Sequence, residues 1–267
     1  MTISKTLVVS NHANHDLEWL QMTYDYGFSP KNTIIYDRTP DDFPQKSKID
    51  HLGKVIPSPN VGSNPYDIGR YIVDHYEELP DMMIHVKGNL LQKKYTTKEK
   101  FIYSLKANWF VPIDSGSLCD SYFPYLVNDN WFAQPMEWED RIEVERKNEI
   151  EQMKIYPRIS NLREFIQDLF VVDTIPKFLS FAPGANYAVP KNCILKYSKN
   201  FYKKMMHYTD YNNNPIEAHW FERILQMAWQ GCLEENFSYI LHKTYDVSKI
   251  KEHISSYSDN EIGRAHV

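Results

Sequence analysis

Two carboxylates in NPIEAHWFERILQMAWQ, Glu217 and Glu222, are the residues of this chain best suited to general acid–base work. A carboxylate does such work by taking the proton of an attacking hydroxyl. Glycoside hydrolysis normally needs two carboxyls facing one another across the substrate. Four to five residues along a helix instead put this pair on one face, which argues against a hydrolase. The same stretch also opens on a repeated signature, because Asn214-Pro215-Ile216-Glu217 echoes Asn64-Pro65-Tyr66-Asp67. Asn at the N-cap, Pro in the first helical position and an acid at N3 make a capping box. Helix N-termini are equally where anionic ligands and active-site carboxylates gather. For Asp67 the two readings stand level, while for Glu217 the neighbouring GANYAVP turn favours function. Glu222-Arg223 reads either as an exposed helix pair or as a site pair.

Other chemistries are excluded by pattern. The chain has no G-x-x-x-x-G-K-[ST], G-x-G-x-x-G, G-x-S-x-G or H-E-x-x-H. Cys119, Cys193 and Cys232 match no metal-ligand spacing and read as core thiols of a reducing compartment. His85, His207, His219 and His242 are too scattered for a metal cluster.

The elements that must position these residues alternate. Short β-branched runs at Thr6–Ser10, Thr33–Tyr36, Lys54–Ile56 and Met82–Val86 predict strands. Asp16–Tyr26 and Pro65–Tyr76 carry apolar residues at helical spacing. Strands alternating with helices imply a mostly parallel α/β sheet flanked by helices, in a single domain. Ligands of such sheets bind beyond the C-terminal strand ends. That edge collects Asn11, His12, Asp37, Asn60–Ser63 with Gly62, and Lys87–Asn89. Further on, 140–151 is a charged run expected as a solvated helix, and helices are expected at Asn161–Phe170, Lys199–Tyr208 and Pro215–Gly231. The 267 residues carry a net charge of -5, which excludes a general nucleic-acid binder. No apolar stretch is long enough for a signal peptide or membrane span, so the expected location is cytoplasmic. The 14% aromatic content suits neutral polar ligands such as sugars as well as a core.

The order of VVSNHxxxxLEWL, TIIYDR, PNVGSNPYDIGRYIVDHYEELP, MMIHVKGN, GANYAVPK and EAHWFERILQMAW resembles a bacterial family of unknown function that accompanies surface-polysaccharide genes. More distantly it resembles GT-A glycosyltransferases, including the core-2/I-branching N-acetylglucosaminyltransferases. The likeness spans about residues 5–232. It implies a GT-A-like (Rossmann-like) fold over residues 1–246, followed by a tail at 247–260. By the same resemblance His12 and Asp37 contact the base and ribose of a nucleotide sugar. Asn60, Gly62, Asp67 and Arg70 line the donor pocket, and Gly184, Ala185 and Asn186 lie beneath the acceptor. Glu217 falls at the catalytic base, with Glu222 orienting. The sequence departs from many GT-A enzymes in lacking D-x-D, since the relevant strand ends in Lys87-Gly88-Asn89. No cofactor is therefore expected and a divalent metal is left open, with Lys87 and Arg223 the candidates to neutralise the leaving diphosphate.

The implied activity is sugar transfer to a growing capsule or lipopolysaccharide glycan, with peripheral association to the membrane or to other polysaccharide enzymes. A non-catalytic glycan- or nucleotide-binding module is the alternative. Finally, Glu261-Ile-Gly-Arg-Ala-His-Val267 resembles a translated sequencing adapter, so the natural sequence is expected to end near Asn260.

Overall fold

The computed structural model describes residues 3–12, 15–41, 43, 48–92, 96–113, 126–127, 130–133, 158–159, 162–170, 179–181 and 184–230. The expected helix at 140–151 and the terminal segments lie outside them. Six strands form the main sheet, in the order β3-β2-β1-β4-β9-β5. They are β1 (Lys5–Asn11), β2 (Thr33–Asp37), β3 (Lys54–Pro57), β4 (Met82–Lys87), β5 (Val111–Pro112) and β9 (Tyr187–Pro190). The first four run parallel, and β9 pairs antiparallel with both β4 and β5. A second, three-stranded sheet joins β6 (Leu126–Val127), β7 (Asn130–Ala133) and β8 (Leu179–Phe181). The protein is thus mixed α/β with a mostly parallel sheet.

β1 is apolar on both faces because helical segments cover both, as buried parallel strands require. Leu7 and Val9 face Leu20 of the 3₁₀ segment Glu18–Tyr26, Leu17 just before it, and Leu105 of α2 (Lys98–Lys106). Val8 faces Ile68, Tyr71 and Ile72 of α1 (Ser63–His75). The stretch at 16–26 therefore carries helical periodicity but winds as 3₁₀, closing on Gly27 in the left-handed region. Behind α1 lie α3 (Leu162–Phe170), α5 (Lys199–Thr209) and α6 (Ile216–Gln230), with the short α4 (Lys191–Ile194) after β9.

The chain leaves β1 toward β2 and β3, then crosses back over β1 to reach β4. This reversal places a topological switch point between the ends of β1 and β4, the standard ligand crevice of such sheets.

Candidate functional site

The parallel register aligns the strand ends. Asn11 pairs with Asp37, and Ser10 with Lys87. Asn11 Nδ2 donates to Asp37 Oδ1 at 3.0 Å, and that oxygen also accepts the Thr39 N–H at 3.1 Å. Both side chains are buried, and Asn11 Oδ1 has no partner. His12 stands exposed beyond them. Partial burial and the Arg38 charge hold its pKa below the usual histidine value, against the pull of Asp37.

Sequence reasoning passed over Arg38, and the structure makes it central. Its guanidinium, 5% exposed, reaches Asp67 Oδ2 at 2.6 Å and also donates to the Ser63 carbonyl. Ser58 Oγ donates to the other Asp67 oxygen at 2.7 Å. Burial pushes the Asp67 pKa up, opposed by the Arg38 charge and the Ser58 hydroxyl. Asp67 is therefore an ion-pair anchor, and the capping box expected at Asn64–Asp67 does not form. The helix begins two residues earlier, at Ser63, behind a left-handed Gly62 with no side-chain cap bond. A Cβ on Gly62 would lie 2.6 Å from Tyr66 Cβ and 2.7 Å from Thr209, so the turn needs glycine. Ser63 is itself left-handed at φ 49°, a strained state that its surroundings must hold. The holders include two backbone bonds, Gly62 N–H to Asn212 and Ser63 N–H to Asn213. These stitch the start of α1 to the turn before α6.

Freed from capping, Asn64 reaches across the fold and donates to the Gly184 carbonyl at 3.0 Å. The Gly184-Ala185-Asn186 loop is held from several sides at once. Gly184 N–H donates to Glu222 Oε1 at 3.0 Å, and His85 Nδ1 meets the Ala185 carbonyl at 2.9 Å. Asn186 Oδ1 accepts the Lys87 N–H at 2.7 Å. Gly184 and Ala185 both sit at positive φ, 100° and 54°. Ala185 is buried in the core, so its methyl does not line a cleft.

Glu222 is the carboxylate that comes to this edge. Its side chain is 17% exposed and pairs with Arg223 Nη1 at 3.0 Å. Burial pushes its pKa up, but the charges of Arg223, Lys87 and His219 and the Gly184 N–H outweigh that and hold it below the usual glutamate value. Arg223 is nearly buried and committed to this pair.

Glu217 lies elsewhere. It is fully buried, with Oε1 on the Arg158 N–H at 2.6 Å and Oε2 on the Tyr211 hydroxyl at 2.5 Å. Arg158 in turn pairs with Asp210 at 2.8 Å at the end of α5. Glu217 and Glu222 are not on one face as expected: five residues turn a helix by about 500°, which leaves them about 140° apart.

Of the remaining expected residues, Arg70 lies over the Tyr36 ring and donates to the Pro57 carbonyl at 2.9 Å, at the end of β3. Asn60 is exposed in the turn before α1, and Asn89 is half-buried just after β4. Among the described residues no group of three or more His, Cys, Asp or Glu is placed to hold a metal ion. No described helix is long and apolar enough to cross a membrane.

Fold and edge together define an α/β protein whose buried polar groups converge on the carboxyl ends of a parallel sheet. The chain belongs to the family described as "Protein of unknown function (DUF3431)", which it matches over residues 7–245. No curated protein and no solved structure matches it.

Proposed function

We propose that this protein is a GT-A-like glycosyltransferase that moves a sugar from a nucleotide donor to a surface glycan in the cytoplasm. The observation that carries this reading is a largely buried carboxylate, Glu222, held by the Gly184 N–H and Arg223 at the carboxyl end of β4, where the Lys87 charge also acts on it. Asn11, His12 and Asp37 form the nucleoside end of the donor site. Lys87 supplies the positive charge that the leaving diphosphate needs, since charge on that group grows in the transition state. Arg223 acts on the phosphate through the carboxylate it orients.

Glu222, rather than the enclosed Glu217, is the base that takes the acceptor hydroxyl proton. Its lowered pKa keeps it ionised at neutral pH, at some cost in basicity. Turnover should therefore fall on acidification only below the usual glutamate range, where Glu222 becomes protonated. The strained Ser63 and Ala185 support the reading, because such backbone concentrates where geometry is imposed for function.

Calorimetry with UDP- and GDP-sugars tests the nucleotide half. Binding is expected, and Asp37→Ala should weaken it about tenfold or more, since a lost bond to a charged acceptor is worth roughly 1.5–3 kcal/mol. Glu222→Gln should lose ~10²–10⁴ in kcat for donor turnover with donor affinity nearly kept. Glycan binding without any nucleotide binding would instead make the protein a recognition module.

A further inference from the structure

Beneath the edge, on the α1 face of the sheet, runs a buried line of polar groups that no sequence pattern announces. His85 is fully buried between β1 and the 184–186 loop. Its Nδ1 meets the Ala185 carbonyl at 2.9 Å and its Nε2 meets Ser10 Oγ at 2.9 Å. The Asp67 carboxylate lies beyond the Ser10 hydroxyl. Asp67 carries Arg38 and Ser58 at its far side. At the near end, Gly184, the residue before Ala185, is the one whose N–H holds Glu222.

Proton inventory fixes the direction of each bond. A carbonyl only accepts, so His85 Nδ1 must carry the proton and donate to Ala185. Burial and the nearby Arg38 and Lys87 charges keep the ring neutral, against the Ala185 bond. Nε2 of a neutral Nδ1–H ring can only accept, so Ser10 spends its single proton there. Asp67 is served instead by the Ser58 hydroxyl and the Arg38 guanidinium. Both ring nitrogens of His85 and both oxygens of Asp67 then have a partner of the right kind.

We propose that His85 is a positioning residue: by donating to the Ala185 carbonyl it holds the left-handed Gly184-Ala185 turn from its Ala185 end and so sets the Glu222 carboxylate bonded at its Gly184 end, while Ser10 locks the His85 tautomer. The end of β1 and the 184–186 loop are thereby joined through one imidazole. The functional meaning of this device rests on Glu222 being the acting carboxylate of the edge.

The two ring nitrogens can be replaced separately. His85→Asn keeps an N–H donor near the Nδ1 position and drops the Ser10 contact. His85→Gln keeps a polar group toward Ser10 and drops the donor to Ala185. Gly184 N–H is bonded to Glu222, so its amide resonance followed against pH reports ionisation of that carboxylate. Arg223, Lys87 and His219 also face Glu222 and remain in place in both variants.

His85→Asn is expected to leave the Gly184 titration where the wild type has it. His85→Gln is expected to move it to higher pH, because the peptide that stabilises the charged form is no longer held. Equal behaviour of the two variants, moved or unmoved, overturns the proposal. Should His85→Gln fail to fold, the wild type decides alone through its histidine ring ¹⁵N shifts at neutral pH. A protonated Nδ1 with a bare Nε2 supports the proposal, and the opposite tautomer or an imidazolium sinks it. No nucleotide enters either measurement, so a failure here is separate from a failure to bind UDP- or GDP-sugars.

Discussion

α1 and α6 begin with the same four-residue pattern, yet their acids end in different company. Asp67 faces a permanent cation, Arg38, in a pocket closed to water. Glu217 is just as buried but is met by neutral donors, the Arg158 N–H and the Tyr211 hydroxyl. One is a buried ion pair and the other a buried hydrogen-bonded acid. The local signature set neither outcome. What decided them was which donor the rest of the fold brought within reach, the Arg38 side chain 29 residues away for Asp67 and the Arg158 backbone N–H 59 residues away for Glu217.

The comparison can be broken by mutation. Asp67→Ala leaves Arg38 buried without its counter-charge and should cost about 3–5 kcal/mol of stability in urea unfolding. A cost below about 1 kcal/mol, the range of an exposed pair, would mean that Arg38 finds water. Gly62→Ala should cost about 1–3 kcal/mol from left-handed strain, with a further loss as the methyl meets Thr209. Because Gly62 bonds the turn before α6, that variant should also loosen the Glu217 surroundings, visible as faster amide exchange at Tyr211 and Asn212.

Glu217→Gln should change stability at neutral pH least of the three, by about 1 kcal/mol. Its pH dependence sharpens the contrast. Burial raises the Glu217 pKa above the ordinary value of 4.5, opposed by Tyr211, its own N–H and Arg158. A raised folded pKa means that the folded state binds the proton more tightly than the unfolded chain. The stabilisation is complete below 4.5 and is lost as pH climbs through the folded value. Wild type should therefore gain stability relative to Glu217→Gln as the pH falls toward that range. A difference that stays flat with pH would mean that Glu217 titrates normally.

The strands and their polar ends were legible, because β-branched runs and parallel alternation are local signals. The adjacency of Asn11 and Asp37 followed from them, since neighbouring parallel strands end at one level. The start of α1 was misread by capping chemistry: Asn64 prefers Gly184, 120 residues away, and no local rule contains that partner. Arg38 could have been found. An acid on the inward face of a helix after β3 demands a buried cation, and Asp37-Arg38 ends the strand next door. His85 had no such clue, because both of its partners are set by tertiary pairing, one 75 and the other 100 residues distant. The shared face assumed for Glu217 and Glu222 failed on helical geometry alone.

The antiparallel β9 has a consequence for how the chain is made. It fills the position between β4 and β5, yet it is synthesised long after both. From the emergence of Lys87 to that of Tyr187 the outer backbone edge of β4 has no neighbour to bond. At ordinary translation speeds of about 5–20 residues per second, that gap of about 100 residues lasts roughly 5–20 s. During that time β5 has nothing to pair with, because β9 is its bonded neighbour in the sheet. The nascent protein thus carries an open strand through its middle third, a template for pairing with other chains. Slower elongation before residue 187 should lower its soluble yield, whereas slowing after residue 190 should not.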